Sequence, residues 1–266
     1  MSFLKFEILC VLLVLGFYLL AVMLVYIKVR QPARYNFEIL TTDEMAQITL
    51  PAFRTYVNAI HLLGFDLVAH LRSVNELSGV TTTLTLLHNR DTLDQAMVNE
   101  IKAVRDDATV KLTCYAEFIS EFEDDHSVCT NNSSTVGIFA RIPSNPTYQL
   151  PELYDPESLY AIHSRLAASL NARRKCLPSE GEEIASLADS IARTLDRQVG
   201  LGYFWLDESS RCYRLTIKGA ATMTAKSLWP LSMIRKQRAA AKSRRIRRDF
   251  SPPNVVSSAD LRSQRS

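Results

Sequence analysis

The sequence predicts an α+β fold hung on an N-terminal transmembrane helix. Three observations carry that reading: an uncharged apolar run of membrane-spanning length, one segment of clear two-residue alternation, and several runs of three-and-four-residue apolar spacing that start at helix caps. In order, the chain is expected to hold the membrane helix, a mixed α+β domain with a small sheet, and a helical region with one β-hairpin and a basic C-terminal helix.

Ile8 to Ile27 contains twenty residues and no charge. At about 1.5 Å rise per residue such a helix covers the ~30 Å hydrocarbon core of a bilayer. A cleaved signal peptide needs an apolar run of about 7–15 residues and small residues at the cut; here the run is longer and Val29-Arg30-Gln31-Pro32 stands in that place. A lipoprotein signal is disfavoured because Glu7-Ile8-Leu9 precedes Cys10. Lys5 lies before the span and Lys28, Arg30 and Arg34 lie after it, so the C-terminal bulk is expected in the cytoplasm. The five cysteines (Cys10, Cys114, Cys129, Cys176, Cys212) are scattered and form no CxxC pair, which suits a reducing compartment. The sequons at Asn131 and Asn132 matter only in a eukaryotic lumenal domain.

Proline spacing divides the rest. Pro143, Pro146, Pro151 and Pro156 punctuate the chain too densely for a helix interior or a central strand. The expected layout is therefore an anchor with flanks over 1–34, an α+β domain over 35–142, a linker over 143–156, a helical region with its basic tail over 157–250, and a disordered tail over 251–266.

Within the first domain, Val57, Ile60, Gly64, Leu67, Leu71 and Val74 recur at helical steps, predicting one long helix from near Pro51 to before Gly79. Val80 to His88 is rich in β-branched residues and reads as a strand. Leu93, Met97, Ile101 and Val104 return to helical spacing behind Asp91. From Val110 to Phe122 the even positions are mostly apolar, while the odd ones include Lys111, Thr113, Glu117 and Glu121; this is the clearest strand in the chain. Val136 to Ile142 is expected to pair back on it across a polar loop from Glu123 to Thr135.

In the second region Asp155 is an N-cap before Pro156, and Leu159, Ile162, Leu166 and Leu170 follow at helical spacing. Ser179-Glu180-Gly181-Glu182 fits a capping box before the stripe Ile184, Leu187, Ala188, Ile191 and Leu195. Tyr203 to Leu206 and Cys212 to Ile217 make a hairpin, and a helical run begins near Gly219.

No motif names a reaction. The five histidines show no HExxH or Cys/His metal spacing; with eight glycines and Gly200-Leu201-Gly202 as the closest pair, phosphate-loop and dinucleotide fingerprints are absent. No cofactor, metal or catalytic residue is assigned. His126 and Cys129, three apart, would face opposite sides of a strand. Glu117, Glu121, Glu123, Asp124 and Asp125 form the densest acidic patch, and paired carboxylates serve acid–base chemistry when their pKa values are driven apart; a solvated strand face produces the same pattern.

Charge is more informative. The chain carries a formal +3. Lys218, Lys226, Arg235, Lys236, Arg238, Lys242, Arg244, Arg245, Arg247 and Arg248 supply ten positive charges with no acid among them, leaving −7 for the remainder. An acidic body thus ends in a basic tail. From Arg235 to Arg248 the basic positions fall all round a helix, with no apolar stripe to enter lipid, whereas Trp229 upstream suits a headgroup interface. Lys226, Trp229 and the basic residues from Arg235 to Arg248 are therefore the expected contacts to an anionic membrane surface or another polyanion.

Two resemblances follow. The helix from Ile184, then Leu201-Gly202-Tyr203-Phe204 and Tyr213-Arg214-Leu215-Thr216-Ile217-Lys218-Gly219, is similar to the end of a winged-helix domain, where a helix leads into a two-stranded wing. That helix carries Glu182, Glu183, Asp189 and Asp196 beside Arg193 and Arg197, a departure from a DNA-reading helix. The stretch from Lys218-Gly219-Ala220 through Met223, Lys226, Leu228-Trp229-Pro230 and Ile234-Arg235 resembles the C-terminal end of uncharacterised bacterial single-pass membrane proteins, which implies an inner-membrane setting and no activity. The expected function is a membrane-anchored, cytoplasmic-facing binding or interaction module whose protein partner the sequence does not name. The alternatives are a membrane-tethered nucleic-acid binder and an enzyme using the acidic strand face.

Overall fold

The computed structural model describes residues 3–73, 80–105, 108–134, 142, 144–228 and 231–250. The chain is mixed α+β. Helix α1 (Phe3–Lys28) contains an apolar stretch, Phe6–Lys28, long enough to cross a membrane by length and composition, a test that a signal sequence also passes. Most of its surface is open: Leu13, Val14 and Phe17 are 64–70% exposed. One stripe, Tyr18, Val22 and Val25, instead packs on the rest of the protein.

Seven strands among the described residues form one sheet in the order β2 (Phe37–Leu40), β3 (Asp66–Ser73), β4 (Val80–Asn89), β5 (Asp94–Arg105), β6 (Ala108–Glu121), β7 (Ser127–Asn131) and β8 (Thr147–Gln149). All neighbours are antiparallel except β7 and β8. The sheet is larger than the small one expected, because two segments read as helical are strands and β2, β7 and β8 extend its edges.

The first is β3. Helix α3 (Pro51–Leu62) ends where Gly64 adopts φ +87°, a left-handed conformation that L side chains resist. The chain then pairs with β4 from Asp66, and Leu71 buries against Leu84 rather than continuing a helical stripe. The second is β5. Asn89 Oδ1 accepts from the backbone N–H groups of Asp91 and Thr92 at 3.0 Å, and Leu93 takes φ 58°. That turn reverses the chain before Asp94, so β5 lies between β4 and β6 and is covered on both faces. A strand buried on two sides loses its two-residue alternation, which is how its apolar spacing imitates a helix.

The clearest predicted strand is β6. Strand β7 lies inside the segment expected to be a polar loop, and β8 lies inside the proline-rich stretch, with Pro146 and Pro151 flanking its three residues. The expected strand from Val136 falls outside the described residues apart from Ile142, as does the tail from Ser251.

Helices α2 (Thr42–Ile48), α3 and α4 (Pro156–Ala168) cover one face. Thr41 caps α2 in a reciprocal box with Glu44, and Asp155 Oδ2 accepts from Ser158 N–H at 2.9 Å to start α4 at Pro156. Met45, Phe53, Ile60, Leu159 and Ile162 pack there on Leu87, Val98, Ala116 and Phe118. On the opposite face Ile184, Leu187 and Ile191 of α5 (Glu183–Gly200) meet Leu71, Leu84, Leu86 and Met97. The capping box expected before α5 does not form: Gly181 N–H donates instead to Glu183 Oε2 at 2.7 Å.

Helix α5 leads into β9 (Phe204–Asp207) and β10 (Cys212–Leu215), and β1 (Arg30–Pro32), directly after α1, adds a third strand against β10. Helix α6 (Ile217–Ser227) follows and lies on α1, where Tyr18 OH donates to Ala221 O at 3.1 Å. Gly219 lets the start of α6 pack on the chain entering β9: a Cβ there would sit 2.1 Å from Tyr203 O. Helix α7 (Leu231–Phe250) then crosses back to the sheet, burying Ile246 in the α3/α4 core and pairing Arg247 Nη1 with Glu152 Oε2 at 3.0 Å.

Candidate functional site

Alternation along β6 sends successive side chains to two different environments. Ala116, Phe118 and Ser120 are buried under α3 and α4. Glu117, Ile119 and Glu121 face the other way, in cross-strand rows with their neighbours: Glu117 with Asn131 and Gln149, Ile119 with Cys129 and Thr147, and Glu121 with Ser127. These rows floor a cleft of about 760 Å³ walled by α5, the end of α6 and α7.

The floor is polar. Asn131 Nδ2 donates to Glu117 Oε2 at 3.1 Å. Burial pushes the Glu117 carboxyl above its ordinary range, with hydrogen bonds from Cys129 and Asn131 opposing the shift. The Cys129 thiol is pushed well up by burial and then by the neighbouring Glu117 charge, so it is a thiol rather than a nucleophilic thiolate.

The walls are cationic. Arg235, Arg238 and Lys242 recur at steps of three and four and therefore share one side of α7. Arg193 and Arg197, four apart on α5, face them, with Lys226 at the end of α6 and Lys175 completing the lining. Among the described residues, seven cations thus meet three carboxylates, Glu117, Glu121 and Asp125. Burial, and after it the Arg235 charge, holds the Lys226 amine below its usual value; burial does the same to Arg235, whose Nη1 donates to Lys226 O at 2.9 Å. Lys175 Nζ lies 3.5 Å from Glu121 Oε2 at the cleft margin.

The predicted contact residues are therefore divided. Lys226, Arg235, Arg238 and Lys242 converge on the cleft. Lys236, Arg244, Arg245 and Arg248 are exposed elsewhere on α7, the last two sharing Asp249 at 3.6 and 3.2 Å, while Arg247 holds α7 to Glu152. Trp229 lies outside the described residues. Of the acidic patch, Glu117, Glu121 and Asp125 line the cleft; Glu123 and Asp124 do not, and bridge to Arg173 at 3.3 Å and His126 at 3.0 Å. Sequence reading overlooked Lys175, Arg193 and Arg197 as site residues. The i,i+4 spacing of the two arginines was the available signal, hidden by the acids on other faces of α5; Lys175 offered none.

A second polar cluster lies on the core side of β6. Ser120 Oγ donates to Asp94 Oδ1 at 2.6 Å and lies 2.8 Å from His163 Nε2, while His163 Nδ1 lies 3.1 Å from Thr130 Oγ1. Tyr160 OH donates to Asp94 Oδ2 at 2.9 Å, and Arg174 donates to Asp94 Oδ1. With its one proton given to Asp94, Ser120 accepts from Nε2–H, and Nδ1 accepts from Thr130. An imidazole already protonated on Nε2 does not take a proton from Ser120, and Ser120, Asp94, His163 and Thr130 are all buried. Burial lowers the His163 pKa to about 4, opposed by the Asp94 charge, so the ring is neutral. The geometry is that of a structural network within the core. Among the described residues no three metal-ligating side chains converge. Comparison with protein families, with characterised proteins and with solved structures yields no match to this chain.

Proposed function

We propose that this is a single-pass inner-membrane protein of bacterial type whose C-terminal region faces the cytoplasm and acts as a binding module for polyanions, the anionic leaflet that holds α1 being the nearest of them. The observation that carries the reading is α7: eight of its twenty residues are Lys or Arg, and Asp249 is its lone acid. A polybasic helix beside an anionic leaflet gains about 1 kcal/mol per cation close to the surface. The exposed apolar flanks of α1 and the cationic residues after it support the same topology.

Two experiments test it. A reporter fused after Ser266 should be active only if it works in the cytoplasm; alkaline phosphatase activity from that position would reverse the topology. With the full chain in nanodiscs, trypsin should cut α7 more slowly in phosphatidylglycerol than in phosphatidylcholine, and the difference should shrink with salt and in the variant with Gln at Lys236, Arg244, Arg245 and Arg248. Equal cutting in the two lipids removes the leaflet as a partner.

One observation favours a second reading. The third strand that β1 adds to the hairpin after α5 is similar to the small sheet of a winged helix, which suits a membrane-tethered nucleic-acid binder. Its mark is duplex DNA binding by the full chain that weakens steeply with salt; no retention of DNA at low salt eliminates it.

A further inference from the structure

We propose that the cleft between the sheet, α5 and α7 binds a compact phosphorylated molecule, its phosphoryl groups held by Arg193, Arg197, Arg235 and Arg238 and its uncharged polar end by Glu117, Asn145 and Gln149. The proposal rests on the polyanion-binding reading above and adds a separate site and ligand class to it.

The shape of the site excludes large partners. Arg235, Arg238 and Lys242 point into a concavity whose floor is β6–β8 and whose opposite wall is α5, a place that neither a bilayer surface nor a duplex enters. Four of its cations are arginines, whose planar forks match phosphate oxygens in pairs. Among the described residues, the seven cations that outnumber the three carboxylates of the cleft repel one another, and a bound dianion reduces that repulsion.

The cleft is also too large for an inorganic anion alone. At about 760 Å³ it falls within the 300–1,000 Å³ typical of small-molecule sites. Its floor offers hydrogen-bonding groups of another kind: the Glu117 carboxyl, whose pKa burial raises, the side-chain amide of Gln149 and the hydroxyl of Thr147. Asn145 also lines the cleft, and its buried Oδ1 meets no donor among the described residues. Cations on one side and neutral polar groups on the other describe a ligand with a phosphorylated end and a hydroxyl- or amide-bearing end. Such a group is either free or the headgroup of a phospholipid, since Lys226 ends the helix that lies on α1.

The test uses the full chain in neutral phosphatidylcholine nanodiscs, with inorganic pyrophosphate and ADP as soluble probes, read by calorimetry and by thermal unfolding. Both probes should raise Tm at low salt, ADP more than pyrophosphate. Arg193→Gln with Arg238→Gln should weaken both at least tenfold; both side chains are exposed, so the fold should survive, as the unliganded Tm will report. Glu117→Gln should alter ADP binding and spare pyrophosphate. Substituting Gln at Lys236, Arg244, Arg245 and Arg248 should leave probe binding unchanged. Silence towards soluble probes, combined with stabilisation by phosphatidylglycerol nanodiscs that Arg193→Gln and Arg238→Gln abolish, would identify the lipid headgroup as the ligand. No response to either source, or binding lost only in the outward-facing variant, overturns the cleft site. The latter outcome would leave the surface reading standing, whereas cleft binding with equal trypsin cutting in the two lipids would leave only the cleft.

Discussion

Strand β6 presents two opposite solutions to burial within one run of residues. Its even positions enter a dry core, where Phe118 packs between Phe65 and Tyr160 and the polar side chains of Ser120, Asp94 and His163 satisfy one another. Its odd positions floor an open cleft, where Glu117 and Glu121 meet cations of α5, α6 and α7 and Lys175. The difference teaches that buried polar atoms are stable when their partners are fixed inside the fold, whereas a surplus of one charge around a cavity calls for a partner from outside.

Four measurements break or sharpen this comparison, with the largest effect first. Phe118→Ala should cost about 3–5 kcal/mol in denaturant unfolding, the usual loss for a buried phenyl ring. Ile119→Ala, one residue away on the half-buried side, should cost roughly 1–2 kcal/mol. Equal losses would mean that the two faces are packed alike.

Acid should separate the faces next. The folded pKa of His163 lies below its unfolded value, so the unfolded chain binds the extra proton. The stability contributed by the neutral ring is complete above about pH 6.5 and declines as pH falls towards 4, by about 3 kcal/mol in all. His163→Gln should lower neutral-pH stability and flatten that decline; an unchanged acid limb would remove His163 as its cause.

Glu117 should behave in the opposite sense and more weakly. Its folded pKa is raised, so the native state gains relative stability as pH falls through that value and loses it as pH rises. Glu117→Gln should therefore be more stable than the parent at pH 8, with the gap closing towards pH 4. A variant less stable at pH 8 would show that the ionised carboxylate has a native partner.

The smallest effect belongs to the outer side of α7. Gln at Arg244, Arg245 and Arg248 should change unfolding free energy by no more than about 0.5 kcal/mol, because exposed charges away from the core contribute little. Arg247→Gln, which breaks the bridge to Glu152, provides the contrast at 1 kcal/mol or less. A large loss in the triple variant would show that this surface is structural.

Local signals were legible wherever one short segment contains the whole cause. The run Ile8 to Ile27 is apolar on every side, β6 alternates, Asp155 and Pro156 start α4, and Ile184, Leu187 and Ile191 form the stripe of α5. The misread segments are those whose state depends on a neighbour. Leu67, Leu71 and Met97 sit at helical spacing, yet Gly64 and the turn at Asn89 release them into strands that pair with β4. The cleft was half legible. Glu117 and Glu121 were visible as a strand face and Arg235, Arg238 and Lys242 as a basic run, but nothing in either segment reports that they meet.

By itself the sequence determined the long apolar N-terminal helix, the division into an acidic body and a basic end, and the caps and periodicities of its self-contained elements. These depend on hydrophobicity, charge and local hydrogen bonding, which act over a few residues. The tertiary structure alone decided that β1 joins a hairpin some 180 residues away, that β5 is a central strand, and that one stripe of α7 turns inward over Glu117 while the rest remains outside. Those outcomes depend on which surfaces bury one another, and a burial partner distant in the chain leaves no periodic mark on the segment it covers.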